Sequence, residues 1–278
     1  ALAAALGVIS TALTVAGCQR GSGQAAVSAA RQSTSQTAEH PRFDGAAAME
    51  LLRTQCAFGP RVPGTGAHRR TCDWMIAEME KYADKVVPQE FKYHGLSLTN
   101  VIGFFNTKAS RQVLLCAHWD SRPTADMEIS PLKRRLPIPG ANDGASGVAV
   151  LLQLARMLKS QPPKVGVVIA LLDGEDYGDF ERDEGVFLGS RYFASNIRKL
   201  CAPKYGILLD MVGDRDLCIY REGTSEQRAG RINDLVFGIA GELGYGKYFR
   251  NTVRYTITDD HIPINDAGVP CIDLIDFD

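Results

Sequence analysis

Acidic and imidazole side chains close three apolar runs of this sequence. His118 and Asp120 follow QVLLCA, Asp173, Glu175 and Asp176 follow KVGVVIALL, and Asp210 and Asp214 come at the end of YGILLDMVGD. Asp143 stands between them in Gly140-Ala141-Asn142-Asp143-Gly144, just before a strongly apolar helical pattern. Two chemistries are open to Asp143. Its carboxylate and the Ser146 hydroxyl are groups that accept hydrogen bonds from the free N–H groups of a helix start, so capping is one. The other emerges when the acids are taken together. Carboxylates gathered in one cleft repel one another unless they are protonated or bridged by a cation. A histidine with aspartate and glutamate oxygens suits Zn2+ better than Ca2+ or Mg2+. A solvated strand end explains any one of these acids, and a hydrogen-bonded core histidine explains His118. Both must hold repeatedly and independently to explain the set.

The elements that position these residues are written in the periodicity. GAAAMELLRTQCAFG and TCDWMIAEMEKYA repeat as helices, with Gly59-Pro60-Arg61-Val62-Pro63-Gly64 as the turn between them. VVPQEFKYH and LTNVIGFFNT alternate and predict an antiparallel pair. QVLLCAHWDS, KVGVVIALLDGED and YGILLDMVGD are short apolar runs with β-branched residues, as buried strands require. Helices over Val148 to Leu158, LGSRYFASNIRKL and RINDLVFGIAGEL fall around them, and PCIDLIDF reads as a last strand. The expected fold is α/β, a mixed and mostly parallel central sheet with helices on both faces in a single domain, the first hairpin lying at an antiparallel edge. In such open sheets ligands bind beyond the carboxyl ends of the strands, where these acids fall.

Motifs sharpen this expectation. His118-Trp119-Asp120-Ser121, Gly140 to Gly147, Asp173-Gly174-Glu175-Asp176, Leu209-Asp210-Met211-Val212-Gly213 and Asp259-Asp260-His261-Ile262-Pro263-Ile264 occur in the order found in M28-type zinc exopeptidases. Within that group DDHIPI followed by AGVPCIDLIDF most resembles the glutaminyl-peptide cyclotransferases. The resemblance implies a zinc exopeptidase-like fold and one Zn2+, held by Asp143 and Asp176. It implies Glu175 as general acid and base, Asp210 as support for the reacting amide, and Asp259 as the group orienting the substrate amine. Asp273 falls where animal cyclases carry a histidine near the site. His118 matches a ligand of the two-zinc aminopeptidases, which with Asp210 holds the second zinc there. The family's third zinc ligand is a histidine in a Trp-His-Thr segment, and the chain reaches Asp278 before any such segment. The expectation is therefore a sequence cut short at that end.

Cyclisation needs no activated water, because the nucleophile is the substrate's own amine; that makes one zinc sufficient. The expected function is conversion of N-terminal glutamine to pyroglutamate with loss of ammonia, acting as a monomer on peptides. The nearest rival is a zinc aminopeptidase. The rival from another class, a solute-binding lipoprotein, needs no acidic cluster and typically has two similar lobes.

Bulk properties exclude other partners. Lys and Arg total 31 against 32 Asp and Glu, a balance that suggests neither nucleic acid nor an anionic membrane surface as partner, and no dense basic run appears. The start, ALAAALGVISTALTVAG, is short and rich in small residues, and Val15-Ala16-Gly17-Cys18 resembles a lipoprotein processing site. Residues 1–17 are expected to be a lipoprotein-type signal peptide, Cys18 the lipidated residue, 18–41 a flexible tether and 42–278 the catalytic domain. The protein is then an exported, membrane-anchored one facing the periplasm or cell exterior. No initiator Met or basic leader precedes the apolar run, so the true start is expected to lie upstream. The seven cysteines show no Cys-x-x-Cys pairing, which argues against a cysteine metal site. Cys116 and Cys271 sit in apolar runs and are expected in the core.

Overall fold

The computed structural model describes residues 42–278; the proposed signal, Cys18 and the tether lie outside the described residues. Six strands form one sheet in the order β1-β2-β4-β3-β5-β8. They are β1 (Lys85–Tyr93), β2 (Leu96–Phe105), β3 (Gln112–His118), β4 (Gly166–Leu172), β5 (Pro203–Asp210) and β8 (Cys271–Ile275). The β1/β2 and β2/β4 pairs are antiparallel, while β3/β4, β3/β5 and β5/β8 are parallel. The hairpin is thus the antiparallel edge, as its alternation predicts.

Both faces of the sheet are covered. Odd-numbered residues of the central strands (Leu115, Ala117, Ile169, Leu171, Ile207, Leu209) pack against one set of helices, and even-numbered ones (Leu114, Cys116, Val168, Ala170, Leu208) against another. The first set comprises α2 (Gly66–Glu80), α3 (Ala145–Ser160) and α5 (Gly223–Glu242), with α1 (Gly45–Ala57) lying over α3. The second comprises α4 (Leu188–Leu200) and the short α6 (His261–Asp266). Helix starts carry the expected chemistry: Asp44 accepts from Ala47 N, and Thr65 from His68 N. Cys116 and Cys271 are fully buried, as expected, and the six cysteines of the described residues are all free thiols. Among the described residues one large sheet carries the core, unlike the two similar lobes typical of a solute-binding protein.

Three elements escape the periodicity. β6 (Ile219–Arg221) and β7 (Phe249–Val253) pair in a separate small parallel sheet, and α6 begins inside the Asp-Asp-His-Ile-Pro-Ile motif. All three are too short to show a repeat.

Candidate metal and catalytic site

The carboxyl ends of β3 and β5 meet at His118. Its Nε2 lies 2.9 Å from Asp143 Oδ1 and 3.2 Å from Asp210 Oδ1, while Nδ1 faces Asp120 Oδ1 at 3.5 Å and Glu175 Oε2 at 3.7 Å. Burial opposes charge on this imidazole, but Glu175, Asp120, Asp143 and Asp210 outweigh it and hold its pKa well above the ordinary value.

Asp143 is not the cap of α3. The N-cap is Gly144, with no side-chain hydrogen bond, and Ser146 instead donates to Asn142 O and accepts from Val212 N. The turn needs glycine: φ at Gly144 is +84°, and a Cβ there would meet Asp120 O at 2.8 Å and the His118 ring at 3.0 Å. The turn is held by Arg61, which sequence reasoning left in a Pro-Gly turn. This fully buried guanidinium donates Nε to Trp119 O at 2.7 Å, Nη1 to Pro139 O at 2.9 Å and Nη2 to Gly140 O at 2.6 Å, clamping the start of the Asp143 turn against β3. Burial raises the Asp143 pKa, but the His118 hydrogen bond, His118 charge, Arg122 and Arg61 together bring it below the usual value.

Glu175 and Asp176 do not end a strand; they lie in bends beyond β4, and Asp120 fixes both by accepting from Glu175 N at 3.0 Å and Asp176 N at 3.1 Å. Glu175 is buried and its pKa is pushed well up, first by desolvation and then by Asp259, Asp176 and Asp260, against the pull of His118. Asp176 is buried too, with Oδ1 2.6 Å from Arg122 Nε. Burial and the nearby Asp143 carboxylate push its pKa to about 8. Of the expected ligands, His118, Asp143 and Asp210 bring ligand atoms within 4.8 Å of one another, and Asp176 is engaged by Arg122. Arg122 had no signal of its own beyond following His-Trp-Asp-Ser.

Two acids of the expected set lie elsewhere. Asp173 binds His68 Nε2 at 2.8 Å and Thr99 N at 2.7 Å, and Asp214 caps a surface turn by accepting from Asp216 N. Asp259 does join the site. It is buried, Oδ2 has no hydrogen-bond partner, and desolvation together with Asp210 pushes its pKa to about 7. Behind it, Asp259, His261 and Asp273 form a second buried group with ligand atoms within 4.8 Å, and both Asp273 oxygens lack hydrogen-bond partners. Next to it Glu222 caps α5, accepting from Thr224 N and Ser225 N, and lies 3.3 Å from His261 Nε2. A cleft of about 750 Å3 lined by Phe180, Phe187, Arg191, Thr258, Ile262 and Pro263 opens beside the Asp259 segment.

The donor chemistry fits zinc. One imidazole and two carboxylates converge, the Asp143 side chain keeps an open side at 31% exposure, and Asp176 holds a further buried carboxylate near Asp143. An open, mostly parallel sheet with this group at its carboxyl end defines a metal-dependent exopeptidase type of α/β protein. The chain belongs to peptidase family M28, whose model matches residues 100–278.

Its relatives divide between two activities. The crystal structure of Tannerella forsythia glutaminyl cyclase superposes with TM-score 0.82 at 42% identity, covering 86% of each chain. The crystal structure of a leucine aminopeptidase precursor from Bacteroides thetaiotaomicron gives TM-score 0.80 at 39% identity, over 84% of this chain and 86% of the other. A probable zinc metalloprotease of Leptosphaeria maculans is 30% identical over 54% of this chain; the chain spans about 35% of that protein's length.

Proposed function

We propose that this protein cyclises N-terminal glutamine of peptides to pyroglutamate, releasing ammonia. The observation that carries the reading is the burial of Asp259 beside Asp210 and Glu175, which adds a third acid on the side where a substrate amine and amide must sit. The 42% identity to a glutaminyl cyclase over 86% of both chains supports it.

Zinc bound in this site would supply Lewis acidity toward a substrate carboxamide. Asp143 and Asp176 would hold it, Asp176 exchanging Arg122 for the ion, with His118 and Asp210 available for a second position. The raised pKa of Glu175 brings it toward the range where one carboxyl can both take and return a proton. Glu175 takes the proton from the α-amine as its nitrogen attacks the γ-carbon, then delivers it to the amide nitrogen. That C–N bond breaks and ammonia leaves as the five-membered ring closes. Asp210 hydrogen-bonds the reacting amide, and Asp259 orients the amine. The cleft beside Thr258 gives the rest of the peptide a place to lie.

A second reading has its own observation. His118, Asp143 and Asp210 form the tightest ligand cluster of the site, which suits the second metal of an aminopeptidase. Incubating the protein with a Gln-initiated peptide and weighing the product separates the two. Loss of ammonia is expected, with one zinc per chain; release of a free residue with two zincs per chain overturns the cyclase reading.

The same proposal includes export and lipidation at Cys18, supported by the Val15-Ala16-Gly17-Cys18 sequence after an apolar run. No helix among the described residues is long and apolar enough to cross a membrane. Cys18→Ser is expected to move the protein from the membrane to the soluble fraction. Unchanged partitioning speaks against the anchor.

A further inference from the structure

The four most exposed large apolar side chains among the described residues lie in one connection. Between β3 and α3, Met127, Ile129, Leu132 and Leu136 are 87%, 89%, 83% and 57% exposed. Interleaved with them are Lys133, Arg134 and Arg135, all exposed and none paired with a carboxylate among the described residues. The acids of this loop are engaged locally: exposed Asp126 is bound by Arg122, and half-buried Glu128 accepts from Ser130 N.

The loop is built rather than loose. Ala125 N donates to Leu136 O at 2.8 Å, Ile138 N to Arg122 O at 3.0 Å, and Arg134 Nε to Glu128 O at 2.7 Å. These bonds close its neck and present the apolar tips and the cations together. Apolar side chains held this far into water mark a contact surface. Their partner must be apolar beneath and anionic at its surface, which is the layering of a lipid headgroup region. A second copy fits poorly, because a two-fold contact would set Lys133-Arg134-Arg135 against itself.

We propose that residues 125–137 dock on an anionic lipid surface, the apolar tips entering between headgroups and the cations meeting the phosphates. Both ends of the loop are tied to the metal site, through Arg122 on Asp176 and Arg61 on Pro139 O and Gly140 O. Docking therefore sets the mouth of the site at a fixed height over the surface. This inference rests on neither the cyclase reading nor the Cys18 anchor.

The test is sedimentation of the unlipidated 278-residue chain with phosphatidylethanolamine vesicles containing phosphatidylglycerol. Each basic residue near such a surface contributes on the order of fivefold in affinity. K133E/R134E/R135E and, separately, I129S/L132S are expected to weaken binding at least ~10-fold. Both should keep the parent's melting temperature and turnover on a soluble peptide. The N-terminal segment is common to all three proteins, so the difference reports the loop alone. Equal binding by parent and both variants overturns the proposal. So does equal parent binding to pure phosphatidylcholine, or a dimer formed without lipid that the same substitutions abolish.

Discussion

Asp173 and Asp273 are both fully buried carboxylates of one sheet's strand system, and the fold treats them in opposite ways. Asp173 receives His68 Nε2 and Thr99 N on its two oxygens, and burial raises its pKa only to about 6. Asp273 has no hydrogen-bond partner on either oxygen, and burial with Asp259, Asp210 and Glu222 around it drives its pKa well up. The first is a closed account of donors and acceptors that joins α2, β2 and the end of β4. The second belongs to a group left open. Burial of an acid does not by itself mark a functional site; a cluster of buried acids with raised pKa values and few donors points to one, because such groups gather where a substrate, proton or cation binds.

The largest effect that separates the two regions is on stability. Asp173→Ala leaves His68 buried without its partner and should cost about 3–5 kcal/mol, lowering the melting temperature by roughly 10 °C. Turnover per folded molecule should hold near the parent value; a collapse of activity in fully folded protein would place Asp173 in the site after all.

Glu175→Gln keeps the shape and removes the proton carrier. We expect at least a ~10²-fold loss of turnover, with zinc content measured by elemental analysis unchanged. Zinc lost together with activity would make Glu175 a ligand.

Asp259→Asn sharpens the contrast in the other direction. Replacing a carboxyl that burial already pushes toward neutrality should leave the melting temperature within a few degrees of the parent, while turnover falls about tenfold. A melting temperature that falls as far as that of the Asp173 variant would mean the open group is structural.

The charge states themselves predict a pH slope. Folded Asp259 and Asp176 have pKa values of about 7 and about 8, above their unfolded values near 3.9, so the metal-free folded state holds more protons between about pH 4 and pH 8. Stability is therefore lost as pH rises through that window. His118, with its pKa also raised, acts in the same direction above its ordinary 6.5. Glu222, lowered to about 2, acts oppositely, but its contribution is complete once pH exceeds about 4.5. Melting temperature with chelator present should fall steadily from pH 5 to pH 8. Added zinc should flatten or reverse the slope, since it binds the deprotonated acids. A metal-free protein that grows more stable over that range would refute the assigned charge states.

Much of the fold is legible without coordinates. Runs such as VVIALL and ILL are short, apolar and bounded as buried strands are, and the two-residue strand period divides their side chains between two helical layers. The short β6, β7 and α6 were not legible, because three to six residues carry no period. At the site, the motif order marks His118, Asp143, Glu175, Asp210 and Asp259. It does not separate Asp173 and Asp214 from them, since a strand-end acid looks the same in sequence whether it faces a cleft, a histidine or a turn.

Covalent adjacency and side-chain period are local properties, and from them the sequence alone determined the strands, their order of burial and the acids that end them. Partnership is not local. Arg61 reaches carbonyls 58 to 79 residues away, Arg122 reaches Asp176 across 54, and His68 finds Asp173 across 105. Which carboxylate each cation neutralises depends on how close the packed layers bring two loops, and a displacement of a few ångströms decides between a hydrogen bond and none. Only the tertiary structure therefore decided that Asp143 meets His118 rather than capping its helix, that Asp176 meets Arg122, and that Asp173 is withdrawn from the site.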